Sequence, residues 1–423
     1  MRSLIFLGLM AVLLPTQAAA FCGFYVAQGN ADLFNRASKV VFARDGEQSV
    51  ITMSSDYEGE PSEFAMVVPI PYVLPRDGIA VVEQALVDHI DAFTAPRLVE
   101  YHDPNPCAPP FTCGRGQPCP MLSMQRDFSA KPAPVPESTV TIEATYVVGE
   151  YDILILSAEE SGGLLRWLDR NGYRVPQAAA SVVSDYLKAG MKFFVAKVNL
   201  GRKRSSASAN LRPLQLRFES KKFGLPIRLG MVNSVGAQDL FLYTLTRKGR
   251  VVLANYPTLP IPTDMGLPVM VRDAFDKVYP RAFAEQSQAA PRAAFLEYAW
   301  NVASCDPCSA PPPTAAQLSD LGVKWQGQDR RADVFVTRLH IRYSAETHDQ
   351  DLQLQETKDR GLFQGRYVLR HPWVGEMSCD AGEDYRWSLV KREAKEDDNL
   401  AKLVGVGRGT VALWRKAGRT DLP

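Results

Sequence analysis

The chain has 423 residues, of which 46% are hydrophobic and 22% charged, a balance found in globular proteins rather than disordered or fibrous ones. Its 48 Lys and Arg meet 47 Asp and Glu, so the net charge of +1 supplies no field that would draw it onto nucleic acid or an anionic membrane. The length suits two or three ordinary domains, or one large domain with insertions.

Arg2 gives a positive start, Leu4 to Leu14 an apolar run of eleven, and Ala18-Ala19-Ala20 a small-residue cleavage site. Together they predict a secretory signal peptide over residues 1–20, with the mature chain 21–423 starting at Phe21 outside the cytoplasm. A lipid anchor needs a cysteine directly after a small residue, whereas Phe21 stands between Ala20 and Cys22. No later apolar run reaches the roughly 18 residues of a transmembrane helix. In an oxidising compartment all seven cysteines become disulfide candidates: Cys22, Cys107, Cys113, Cys119, Cys305, Cys308 and Cys379. They allow at most three internal bonds and leave one thiol over, and spacing alone does not fix the pairing.

Short strands are expected at Lys39 to Ala43, Ser49 to Met53 and Phe64 to Val68, with Asp45-Gly46 as a turn between the first two. Helical spacing of Val82, Ala85, Leu86, Ile90 and Phe93 predicts a helix over Ile79 to Phe93. Residues 103–136 hold nine of the 30 prolines and three of the cysteines, which excludes regular helix and reads as an inserted, disulfide-tied loop. Alternation from Val140 to Val148 and the run Tyr151 to Leu156 predict two more strands. Ser157 to Glu160 fits a capping box opening one helix, and Pro176 opens a second that Gly190 closes. Further strands are expected at Met191 to Val198, Leu211 to Phe218, Leu240 to Thr246 and Val251 to Tyr256, the last two forming a hairpin through Arg247-Lys248-Gly249. Arg202, Lys203 and Arg204 read as a solvated turn. Helix is expected at Val271 to Tyr279 and Arg292 to Trp300, then strand at Val334 to Tyr343, Leu352 to Gln355, Gly365 to Leu369 and Thr410 to Trp414. Gly405-x-Gly407-x-Gly409 reads as a glycine-rich hairpin rather than a dinucleotide fingerprint.

Several separated motifs resemble one bacterial family, that catalogued as domain of unknown function 2330: Phe21-Cys22-Gly23-Phe24-Tyr25, Phe64 to Pro71, Trp167 to Tyr173, Tyr298 to Cys308 and Val334 to Tyr343. The resemblance covers nearly the whole mature chain. It implies a secreted or surface protein and a single long homology unit, and it brings no assigned activity.

Cys305-Asp306-Pro307-Cys308 is the pair with a mechanism attached, because a Cys-x-x-Cys at a helix start can hold a reactive thiolate. Here the preceding segment reads as helix, Pro311 to Pro313 forbid a long helix after it, and zinc would need two further ligands. A structural disulfide is therefore the expectation. Alternation along Val334 to Tyr343 puts Arg338, His340 and Arg342 on one face, which could bind a carboxylate or phosphate, against the plainer reading of a solvated sheet face paired with carboxylates. His348 with Asp349 and Asp351, and His102 with Asp103, sit in turn-like sequence and argue only weakly for metal. No zincin pair, nucleophile elbow or P-loop occurs, so no catalytic residue, cofactor or metal is assigned.

These features add up to an α+β fold, mostly antiparallel sheet with a few packed helices and a Cys/Pro-rich insertion, as one unit or as two subdomains at 21–259 and 260–423. The expected function is a non-enzymatic periplasmic or secreted protein that binds an envelope partner or ligand. The alternative is an extracytoplasmic enzyme, a thiol-disulfide oxidoreductase on Cys305 and Cys308 or a hydrolase. A deep pocket holding perturbed titratable groups favours the enzyme, and a broad apolar or charged surface favours binding.

Overall fold

The structure, a computed structural model, describes residues 24–27, 34–58, 64–108, 141–171, 173, 178–199, 211–232, 236–303, 310–325 and 333–420. The leader, Cys22, Cys113, Cys119, Cys305, Cys308, the Arg202–Arg204 turn and most of the Pro-rich insertion lie outside the described residues.

In chain order the first half contains β1 (Phe24–Ala27), β2 (Phe34–Asp45), β3 (Gln48–Glu58), β4 (Phe64–Ile70), β5 (Ile79–Val81), α1 (Gln84–Thr94), β6 (Arg97–His102), β7 (Ile142–Val148), β8 (Tyr151–Leu156), α2 (Ser161–Arg170), α3 (Ala179–Lys188), β9 (Lys192–Val198), β10 (Leu214–Glu219), β11 (Gly224–Leu225) and α4 (Arg228–Met231). The second half contains β12 (Gln238–Thr246), β13 (Val251–Leu253), β14 (Thr258–Pro260), β15 (Met265–Leu267), α5 (Phe275–Ala289), β16 (Ala294–Asn301), α6 (Ala315–Asp320), β17 (Phe335–Tyr343), β18 (Leu352–Glu356), β19 (Phe363–Gln364), β20 (Arg366–His371), α7 (Asp380–Leu403) and α8 (Arg408–Ala417). Most strand pairs are antiparallel, so the fold is α+β; β2–β12, β14–β16, β15–β20 and β6–β20 are parallel.

Two sheets dominate. One runs β1-β4-β9-β8-β7; the other runs β14-β16-β17-β12-β2-β3-β10-β5, with β19 added beside β16. Period-two alternation gives each sheet two apolar faces. Val68, Ile70, Ile153 and Phe194 of the first sheet share one core with Phe42, Ile51, Leu216 and Leu242 of the second, so the sheets pack face to face. The outer face of the first, with Val67, Phe193 and Val195, is covered by Leu164 and Leu168 of α2 and Val183 and Tyr186 of α3. The outer face of the second, with Val41, Tyr243 and Val336, is covered by Val87, Ile90 and Phe93 of α1 and Leu318 of α6. The order of layers is helix, sheet, sheet, helix. Strands from both sides of residue 260 interleave in the larger sheet.

A third sheet, β15-β20-β6, is backed by α5, α7 and α8 around Tyr367, Leu369, Leu400 and Trp414. Cys107, at the root of the Pro-rich insertion, is bonded to Cys379, the N-cap residue of α7, across a sequence separation of 272. No helix among the described residues is long and apolar enough to cross a membrane.

Several expected elements are corrected. Arg292 to Trp300 is not helix but strand β16, and because Ala294 to Ala299 are all buried its apolar run lacks the alternation that marks a one-sided strand. Thr410 to Trp414 is not strand; it lies inside α8, and Gly405-x-Gly407-x-Gly409 joins two helices, with Gly405 at φ 67 ending α7. Helix α7 has no sequence signal over its first half because residues 383–391 are almost wholly exposed and present no apolar stripe. Strands β12 and β13 form no hairpin, since β13 pairs with β18 while β12 lies between β2 and β17. The Ser157 capping box does not form; α2 begins at Ser161, and the Ser157 hydroxyl bonds Glu143 Oε1 at 2.5 Å. Residues 79–81 form β5, and α1 starts only at Gln84.

Candidate functional site

The two face-to-face sheets part along one side to leave a cleft of about 860 Å³. Its walls follow from strand alternation: Ile51 and Met53 on β3, Leu216 and Phe218 on β10, and Val68 and Ile70 on β4 are i, i+2 pairs that point into the same space. Phe223 to Pro226 around β11 and Leu352 to Leu354 of β18 close one end, and Tyr186 and Ala189 bring α3 to the mouth.

The polar groups of the lining come from α3, the loop between β10 and β11, Arg228 and residues 350–353. The Tyr186 hydroxyl donates to Asp351 Oδ1 at 2.7 Å, and the same oxygen accepts the backbone N–H of Ile227 at 2.9 Å and of Arg228 at 3.1 Å. Burial pushes the Tyr186 phenol far up, with the Asp351 charge adding to it, so this phenol remains a neutral donor. Arg228 is paired with Asp185 at 2.7 Å. Lys221 and Lys222 are exposed on the loop between β10 and β11 and form no ion pair among the described residues. Their loop is held from below by buried Arg44, whose guanidinium donates to the carbonyls of Ser220, Lys222 and Lys221 at 2.8, 3.3 and 3.4 Å. Arg44 also donates to Ser49 Oγ at 2.8 Å and lies 4.9 Å from the Phe223 ring centre. Burial lowers the Arg44 pKa, opposed by Glu356 and Glu47.

Arg338, His340 and Arg342 do share one face of β17, but the solvated-face reading is corrected: Arg338 and His340 are each only 4% exposed, because α1 and α5 pack over them. Their partners are the protein's own carboxylates. Glu297 on the adjacent β16, fully buried, accepts from Arg338 Nε at 2.5 Å, shares a 2.8 Å hydrogen bond with His340 Nδ1, and accepts from the Tyr279 hydroxyl. Arg338 also donates to Asp91 Oδ1 at 2.7 Å, and Arg342 is bidentate to Asp239 with both contacts at 2.7 Å. The His340 ring lies between Phe283 and Phe241, with centroids 3.4 and 4.1 Å away. Burial alone would push the Glu297 carboxyl up, but Arg338 and His340 outweigh it and hold the group at about 2. Glu297 escapes sequence reasoning because its segment reads as helix. Only a correct strand assignment would have put it beside Arg338.

The remaining candidates do not converge. His348 is fully buried beside Tyr256 and Tyr343, and burial followed by the Arg292 charge pushes its pKa down to about 4. Asp349 instead pairs with Arg292 at 2.7 Å, and Asp351 is at the cleft rim. His102 stacks on His371 at 4.4 Å, while Asp103 accepts from the Tyr385 hydroxyl at 2.6 Å and pairs with Arg392 at 2.7 Å. No group of three His, Cys, Asp or Glu among the described residues is arranged to hold a metal ion.

Residues 16–355, four fifths of the chain, match the model of the family described as "Uncharacterized protein conserved in bacteria (DUF2330)". The matched span includes every residue that lines the cleft and stops before β19, β20, α7 and α8. No curated protein and no solved structure matches the chain. The chain belongs to this bacterial family.

Proposed function

We propose that this family member is an exported, non-enzymatic protein that binds a single-chain amphiphile, with the apolar tail between the two sheets. The observation that carries this reading is the cleft itself. Its volume of about 860 Å³ lies within the range of small-ligand sites, and the walls that strand alternation supplies are apolar. The carboxylate held at about 2 and the cations around it lie instead in a sealed cluster under α1 and α5, away from the cleft. Tyr186, the strongly shifted group in the cleft lining, is a neutral donor already committed to Asp351, which favours binding over catalysis. The leader at residues 1–20 supports export, and the Cys107–Cys379 bond suits an oxidising compartment.

A chain-length series tests the reading. Each buried methylene contributes about 0.8 kcal/mol, so affinity for C10, C12 and C14 alkyl chains rises about fourfold per added carbon while the tail remains in the cleft. Ala254 lines the cleft and is exposed, so Ala254→Trp obstructs the space without disturbing a packed core. The variant is expected to melt like the wild type and to lose the ladder. A wild-type affinity that does not vary with chain length refutes the proposal.

A further inference from the structure

Resting on the cleft reading, we infer that the amphiphile carries an anionic head, a carboxylate or a phosphate, recognised by Lys221 and Lys222 at the cleft mouth. Among the charged groups lining the cleft, Arg228 and Asp185 neutralise each other at 2.7 Å, and Asp351 is bonded to Tyr186 and to the N–H groups of Ile227 and Arg228. Three charged lining groups form no ion pair among the described residues: Asp351, whose Oδ1 is taken by those three hydrogen bonds, and the exposed Lys221 and Lys222. The lining therefore carries three cations against two carboxylates, and the two exposed groups that form no ion pair among the described residues are both positive, where a chain lying on Ile51, Met53, Leu216 and Phe218 would emerge.

The loop is also built to hold those lysines in place. Arg44 is 8% exposed and bonds the carbonyls of Ser220, Lys221 and Lys222 in succession, while Phe223 packs edge-on against Phe42 at 4.9 Å. A planar guanidinium reaching several carbonyls fixes the backbone in a way that one flexible ammonium cannot. Arg44 is thus a positioning residue: it faces inward, and the side chains it places are the exposed ones.

The test compares oleate, 1-oleoyl-lysophosphatidate and neutral methyl oleate by displacement of a fluorescent fatty acid. The wild type is expected to prefer an anionic head to the ester by about tenfold, the sum of two modest surface contacts, and to lose most of that preference in 0.5 M salt. Which anion wins tells carboxylate from phosphate. In Lys221→Gln/Lys222→Gln the ratio falls to about one, and Lys221→Arg/Lys222→Arg restores it. Arg44→Lys keeps the charge but cannot span the carbonyls, so it also lowers the ratio, whereas simple destabilisation would weaken acid and ester alike. Equal wild-type affinity for anion and ester, with a chain-length ladder intact, overturns the anionic head and leaves the cleft reading standing. Binding of none of the three, or of an acidic apolar peptide in their place, overturns both.

Discussion

Replacing Arg338 by Met removes the main counter-charge of Glu297, a carboxylate with no exposed surface. Breaking a buried ion pair from one side costs about 3–5 kcal/mol, because the charge left behind is neither solvated nor neutralised. The carboxyl's own titration gives a similar magnitude. Glu297 is held at about 2 against an ordinary value of 4.5, and a depression of that size corresponds to about 3 kcal/mol. The sign is that of a depressed acid: the contribution is complete above pH 4.5 and is lost as pH falls through about 2. Urea unfolding at pH 7 should therefore show Arg338→Met about 3–5 kcal/mol less stable than the wild type, at unchanged slope. Arg338→Met/Glu297→Met removes both charges and should recover at least half of that loss. A single variant within about 1 kcal/mol of the wild type, or a double variant no better than the single, would refute the view that the pair is coupled and dry.

Three other outcomes are expected. His348, pushed down to about 4, is neutral in the fold, so wild-type stability falls as pH drops from 6.5 through 4, by up to about 3 kcal/mol; His348→Leu should flatten that part of the urea-midpoint profile, and a parallel profile would count against it. Reducing the Cys107–Cys379 bond, which spans 272 residues, releases unfolded-state entropy worth up to ~5 kcal/mol, read as a lower urea midpoint for Cys107→Ser/Cys379→Ser that dithiothreitol lowers no further. Protein recovered from the extracytoplasmic fraction should have an intact mass corresponding to a terminus at Phe21, and retention of residues 1–20 would contradict the proposed export by cleavage.

The strands rich in β-branched residues and bounded by turn signals were the legible part, even where, as in β2, both faces are buried. Lys39 to Ala43, Ser49 to Met53 and Tyr151 to Leu156 carry β-branched residues between turn signals, and the structure places them in β2, β3 and β8. In β16 the buried run from Ala294 to Ala299 mixes the helix formers Ala, Leu and Glu with aromatics, and the first half of α7 is almost wholly exposed, so neither residue type nor period marked the element and its type was lost. The face shared by Arg338, His340 and Arg342 was readable from alternation along one strand. Its burial was not, because Glu297, Asp91 and Tyr279 arrive from β16, α1 and α5, segments that no local pattern links to β17. The cleft was invisible for the same reason. Ile51, Leu216 and Val68 each read as ordinary core, and only the packing of separate strands leaves space between them.

Strand β20, residues Arg366–His371, is the middle of the sheet β15-β20-β6, yet it lies beyond the 16–355 span shared with the family. Homology and foldability therefore have different boundaries in this molecule. A chain truncated at 355 would keep every wall of the cleft but strip β6 and β15 of their common neighbour. It would expose Leu98 and Leu267, which now pack beside Tyr367 and Leu369, and leave the Cys107 thiol without Cys379. The smallest piece fit for ligand measurements is accordingly set by the last helix rather than by the recognisable span.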